Sequence, residues 1–162
     1  MLRHDLPGGC FLRLVEESDA AEIYALVDDN RTYLARWRSW VEATRGADDV
    51  LNFIRATRKQ MAENKGFGLT IVEGDRIIGT IAFDPIDWTH GSTGIGYWLA
   101  EAHQGRGTMT EAVRALVTYA FEVWKLNRVQ IRAAVGNHAK PGNSRAARLQ
   151  AGRRPSPSGA DR

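Results

Sequence analysis

Apolar residues along the chain change period several times, and each change marks an element. Phe11, Leu12, Leu14 and Val15 form a short apolar run that predicts an opening strand. Ser18 and Asp19 follow, with Glu22 three residues after Asp19 in capping-box spacing, so a helix should begin there. Ile23, Leu26, Val27 and Leu34 then mark one helical face, and after Gly46 the set Val50, Phe53, Ile54, Thr57 and Met61 repeats the pattern. Two amphipathic helices are therefore expected ahead of the main sheet.

Leu69, Ile71 and Val72 run into Glu73-Gly74-Asp75-Arg76, which has turn chemistry, and then into Ile77, Ile78, Thr80, Ile81 and Phe83. This predicts a β-hairpin. Asp84-Pro85 closes it, a polar loop carries Trp88, Thr89 and His90, and residues 94–100 form another extended segment whose two glycines suggest a bulge. From Thr108 the period returns to 3.6, with Met109, Val113, Leu116, Val117, Ala120 and Trp124 on one stripe, before residues 128–135 give a last strand. Strand, two helices, three strands, helix and strand, with no repeat or internal linker, describe a mixed α and β single domain.

At 162 residues the chain suits one such domain, and 43% hydrophobic with 25% charged residues is a globular balance. No apolar run approaches the roughly 20 residues of a membrane span, and residues 1–10 lack the apolar stretch of a signal peptide. A cytoplasmic location is the expectation. Cys10 is the one cysteine, and His4, His90, His103 and His138 include no i, i+4 pair, so no metal site is expected. The net charge of +3 is uneven, with +5 over residues 138–162 and −2 over the remainder. Positive charge confined to a terminal tail is a poor signature of a folded nucleic-acid-binding face, so nucleic acid is the weakest of the partner readings.

The distinctive chemistry lies in Glu101-Ala102-His103-Gln104-Gly105-Arg106-Gly107, between the extended segment and the helix from 108. Glycines ahead of a helix N-terminus let a phosphate approach unpaired backbone N–H groups at the positive end of the dipole, and Arg106 adds a full charge. Alternatively Gly105 and Gly107 merely turn the chain, with Thr108 and Glu111 as a structural capping box. No GxxxxGK[ST] occurs, and Thr110 stands where a dinucleotide fingerprint wants its third glycine.

Gln104-Gly105-Arg106-Gly107-Thr108-Met109 resembles the acyl-CoA pyrophosphate loop of the GNAT superfamily. The longer string Gly96-Tyr97-Trp98-Leu99-Ala100 … Gln104 through Ala112 is similar to the RimJ/RimL type within it, the ribosomal-protein N-acetyltransferases and their relatives. Asn127-Arg128-Val129-Gln130-Ile131-Arg132, Val135-Gly136-Asn137 and the segment Asn30 to Trp40 extend the likeness over roughly residues 10–137. The resemblance implies an α+β GNAT-like fold, a mixed central sheet flanked by helices, over residues 1–137. It also implies acetyl transfer from acetyl-CoA to a primary amine, with the N-terminal amine of a ribosomal protein as one acceptor. A small-molecule amine, or acyl-CoA binding without turnover, are the alternatives.

Carried onto this chain, the family pattern has the pantetheine arm pair with Trp98, Leu99 and Ala100 and hydrogen-bond Asn137. Gln104, Gly105, Arg106, Gly107, Thr108 and Met109 would hold the pyrophosphate. A backbone N–H near Leu99 would donate to the oxyanion, and Ser144, in Asn143-Ser144-Arg145-Ala146, is the nearest match to the family's proton donor to the thiolate. No carboxylate is placed by its motif as the base; Glu101 reads as a surface glutamate, His103 as a surface or packing residue, and Tyr97 and Trp98 as packing groups on opposite faces. Residues 138–162 lack the Leu-Gly-Phe element and the last helix and strands of the family; their Arg, Pro, Ser and Gly content is what a shifted reading frame in GC-rich DNA would give. Such enzymes often pair, so a homodimer is among the expectations.

Overall fold

The computed structural model describes residues 3–36 and 38–132. Ten elements follow one another: β1 (Arg3–Asp5), β2 (Cys10–Leu14), α1 (Ala20–Asp29), α2 (Arg31–Ala35), α3 (Ala47–Ala62), β3 (Gly68–Glu73), β4 (Arg76–Phe83), β5 (Ser92–Leu99), α4 (Thr108–Glu122) and β6 (Arg128–Ile131). The strands form one sheet in chain order, antiparallel at each step until β5 and β6, which run parallel. That parallel step needs a crossover, and α4 supplies it.

Alternation along the strands divides the core into two layers. Leu12, Leu69, Ile81 and Ile95 turn to one face and pack with Val113, Leu116 and Ala120 of α4. Val15, Val72, Ile77 and Trp98 turn to the other and pack with Ile23, Val27 and Ile54 of the first three helices. Neighbouring residues of β5 therefore serve different layers, Tyr97 the α4 side and Trp98 the α1–α3 side.

Several elements depart from the sequence expectation for identifiable reasons. β1 consists of three exposed polar residues with no apolar signal; it is held by its register with β2 and by Arg3, whose guanidinium lies 3.7 Å from the Phe11 ring centroid. The Asp19–Glu22 box does not form because both carboxylates have partners elsewhere. Asp19 accepts from the Glu16 N–H and, twice, from Arg13, while Glu22 accepts from the Ile77 N–H at 2.8 Å. The first predicted helix is two, broken at Asn30, whose side-chain amide donates to the Leu26 carbonyl.

On α3 the buried stripe is narrower than its periodicity suggests, with Val50, Ile54 and Thr57 buried but Phe53 and Met61 exposed. The bulge lies in β4, where Ile78 is the extra residue between the pairs Ile71↔Gly79 and Val72↔Ile77, and β5 keeps an unbroken register with β4. Trp124 lies just past α4 and packs edge-on against Phe67, Phe83 and Tyr119. Of the strand expected over residues 128–135, Arg128–Ile131 is observed, and residues beyond 132 lie outside the described part. Among the described residues no helix is long and apolar enough to cross a membrane.

Candidate active site

Among the described residues β5 has a neighbour on both sides over only part of its length. β6 pairs with residues 92–95 and the last link is the Arg132 N–H donating to the Ile95 carbonyl at 3.0 Å, whereas β4 follows β5 to Leu99. Direction follows from the ladder: the Gly94 carbonyl accepts from Asp84 N–H and the Ala100 N–H donates to the Ile78 carbonyl, so even-numbered residues spend their backbone groups on β4. Ile95, Tyr97 and Leu99 direct theirs the other way, and past Ile95 no described strand lies there. Among Trp98, Leu99 and Ala100 it is thus Leu99 whose backbone faces the open side. Tyr97 joins it, a position that the sequence pattern did not distinguish.

The loop after β5 is tied back to this edge. Gln104 donates its side-chain amide to the Leu99 carbonyl at 2.9 Å. Gly105 and Gly107 have φ of +83° and +78°, which favours glycine at both positions. Gly107 is the N-cap of α4 and has no side chain with which to cap; the first helical bond runs from Glu111 N–H to the Gly107 carbonyl. Thr108 is the first residue inside the helix, so the Thr108–Glu111 capping box does not form, and Glu111 pairs with Arg114 at 2.8 Å. Thr108 and Met109 are buried at the base of the loop. The turn therefore directs the amino end of a 15-residue helix outward without a side-chain cap.

Arg106 and His103 both reach Glu73, at the end of β3: Arg106 at 3.1 Å and the His103 ring at 3.1 Å. His103 is accordingly a half-buried residue whose Nδ1 lies against Glu73 and Arg106 rather than a plain surface group. Glu101 is exposed, and its N–H donates to the Asn30 side chain at 3.0 Å.

Asn30, Arg38 and Trp40 border the second half of β5. Asn30 holds the loop through Glu101, and Trp40 tilts against Trp98 with ring centroids 6.1 Å apart. Arg38 reaches the β5 edge itself, donating to the Tyr97 carbonyl at 2.6 Å with its guanidinium 5.6 Å from the Tyr97 ring centroid. Burial pushes the Arg38 guanidinium below its ordinary pKa, and nearby Arg132 acts in the same sense. The Tyr97 hydroxyl is buried and has no hydrogen-bond partner among the described residues. Below Trp98, Arg132 grips Asp84 bidentately at 2.8 and 2.9 Å. A β-carbon at Gly94 or Gly96 would strike this pair, so the two glycines make room for an ion pair across the strand rather than for a bulge.

Asn137 and Ser144 lie outside the described residues. Arg38, Glu73, Asp84 and Arg132 were not singled out by the sequence. Their partners lie 33 to 59 positions away, a separation at which no local pattern exists to read.

Known proteins resemble this chain in sequence and in fold. The acetyltransferase (GNAT) domain model matches residues 10–142. The chain is 36% identical over 127 residues to "Putative ribosomal N-acetyltransferase YdaF" of Bacillus subtilis, covering 78% of this chain and 69% of that protein. It is 29% identical over 128 residues to the ribosomal-protein-serine acetyltransferase of Escherichia coli, covering 78% and 70%. Among solved structures, RimL, a ribosomal L7/L12 alpha-N-protein acetyltransferase in complex with coenzyme A, superposes with a TM-score of 0.82 at 22% identity, over 90% of this chain and 82% of that one. The microcin C7 self-immunity acetyltransferase MccE, in complex with acetyl-CoA and AMP, gives 0.77 at 26%, over 90% and 78%.

Proposed function

Because this chain belongs to the GNAT acetyltransferases, we propose that it moves an acetyl group from acetyl-CoA to a primary amine, with the N-terminal amine of a protein as the acceptor class. The observation that carries the reading is the open edge of β5, whose outward backbone groups at Tyr97 and Leu99 run directly into an uncapped, glycine-bounded helix start. An extended amide-bearing arm would pair with the first, and a diphosphate would be held by the second, over Gln104, Gly105, Arg106, Gly107, Thr108 and Met109. When bound, acetyl-CoA supplies the activated thioester.

The chain's own groups have separable tasks in this scheme. Leu99 N–H, on the open side, donates to the carbonyl oxygen as negative charge develops there; a donor of this kind contributes about 2.7–4 kcal/mol. Gln104 fixes the adjoining Leu99–Ala100 peptide by donating its side-chain amide to the Leu99 carbonyl. The amine must arrive uncharged; its nitrogen attacks the thioester carbon, the C–S bond breaks, the nitrogen sheds one proton to solvent as the amide forms, and the departing thiolate takes one. Ser144 is the proposed source of that proton and Asn137 a further contact to the arm. Asn30, Arg38 and Trp40 border the acceptor side.

The names of YdaF and the Escherichia coli relative favour a protein N-terminus as acceptor. The likeness to MccE, which carries AMP beside acetyl-CoA, favours a small-molecule amine as the second reading. Catalysis in the cytoplasm, by a homodimer, completes the proposal. Its test is an acetyl-transfer assay with peptides carrying free or blocked N-termini beside a polyamine and an aminonucleoside. Transfer to free N-termini alone supports the proposal, transfer to the small amines alone supports the second reading, and saturable acetyl-CoA binding with no transfer to any acceptor contradicts both.

A further inference from the structure

Arg106 is the cation that the cofactor reading assigns to the diphosphate, yet its guanidinium is already engaged. Nη1 donates to Glu73 Oε2 at 3.1 Å, and Nη2 meets His103 Nδ1. That ring nitrogen also lies 3.1 Å from Glu73 Oε1. One carboxylate thus places an oxygen on each basic group of the loop. Glu73 comes from far along the chain, 33 positions before Arg106. The topology brings it there: Glu73 pairs with Arg76 at the turn between β3 and β4, and β4 lies beside the end of β5, where Ile78 takes the Ala100 N–H.

We propose that Glu73 is an internal competitor for Arg106, holding the guanidinium of the cofactor loop in the free protein and yielding it to an incoming diphosphate. The inference rests on the cofactor-loop reading above and adds to it a positioning residue that sets affinity. Two effects oppose each other. Holding Arg106 in place spares some ordering on binding, but the pair is half-exposed, with 50% of the Arg106 and 31% of the Glu73 side chain accessible, and such pairs gain little. Against this, a fixed carboxylate repels every negative charge of the diphosphate at close range. Repulsion prevails, so removing the charge should tighten binding by about five-fold, the equivalent of about 1 kcal/mol.

The experiment compares coenzyme A with S-acetylpantetheine, which has the arm but no diphosphate, by calorimetric titration into the full wild-type chain and Glu73→Gln. Thermal melting of both proteins confirms that the variant is folded. Expected is an approximately five-fold lower Kd for coenzyme A in Glu73→Gln at low salt, shrinking as added salt screens the exposed charges, with the Kd for S-acetylpantetheine unchanged. Unchanged or weaker coenzyme A binding, in a wild type that clearly prefers coenzyme A to S-acetylpantetheine, overturns this inference alone. An equal gain for both ligands shows a general effect on the fold and also overturns it. A wild type that binds both ligands equally overturns the loop reading itself.

Discussion

The two halves of β5 differ in what lies along their outer edge. Residues 92–95 lie against β6 on one side and, on the other, against the end of β4 at Ile95 and the segment just past it, where Asp84 and Asp87 bond Gly94 and Ser92; Thr93 and Ile95 are buried. Residues 96–99 keep β4 and have no strand on their other side among the described residues, and there Gln104 and Arg38 donate to the outward carbonyls of Leu99 and Tyr97. The side chains of both halves pack equally well: Ile95, Trp98 and Leu99 are all buried. In the proposed function this strand therefore acts through its backbone edge rather than through exposed side chains. Among the described residues the strand is flanked on both sides in its first half and on one side in its second.

Substitutions can separate the two roles. Ile95→Ala removes a fully buried side chain from the doubly paired half and should cost about 2–5 kcal/mol of stability in urea unfolding. Activity per folded molecule should be nearly unchanged. Leu99→Pro removes an N–H that no β4 residue uses, so its main effect should be on catalysis, a loss of about 2.7–4 kcal/mol in kcat, or about a hundred- to a thousand-fold. Trp98→Pro, by contrast, removes a ladder donor to β4 and should unfold the sheet, which melting of the two variants would distinguish.

A control lies at the far end of the sheet, where Arg13 and the Glu16 N–H hold buried Asp19. Burial raises the Asp19 pKa, but these hydrogen bonds outweigh it and keep the carboxyl below its ordinary value. A depressed folded pKa means that the stabilisation is complete above the unfolded value of about 3.9 and is lost as pH falls through the folded pKa. Asp19→Asn should cost about 1.5–3 kcal/mol at neutral pH and flatten the acid limb of the stability profile. Acetyl-CoA affinity should not move. The smallest effect expected is that of Gln104→Ala, about 0.5–1.5 kcal/mol, read as a rise in KM for acetyl-CoA as the Leu99 peptide loses its tether.

Most of the framework was legible from apolar spacing. β2 to β5, α3 and α4 all emerged because each buries a regular stripe or alternating face in one of the two layers. β1 was invisible because Arg3, His4 and Asp5 carry no apolar pattern. The break at Asn30 was missed because the apolar face runs on to Leu34 across it. At the site, the glycine-bounded loop could be read locally, since Gly105 and Gly107 advertise their backbone geometry. Its electrostatic surroundings could not, because the links from Glu73 to Arg106, Arg38 to Tyr97 and Asn30 to Glu101 span 33, 59 and 71 positions. Residue strings read along the chain gave Trp98, Leu99 and Ala100 as contacts to the arm and only the family likeness set Leu99 apart, whereas ladder parity gives a physical reason why its backbone, and that of Tyr97, faces away from β4.

The most direct test of the account is amide hydrogen exchange, resolved by residue along β5, with and without saturating acetyl-CoA. The account predicts that the Trp98 amide is protected in both states, while the Leu99 and Tyr97 amides exchange readily in the free chain and slow markedly with the ligand. Strong binding that leaves the exchange of Leu99 and Tyr97 unaltered would contradict it, because the open half of β5 would then not be the edge along which the cofactor lies.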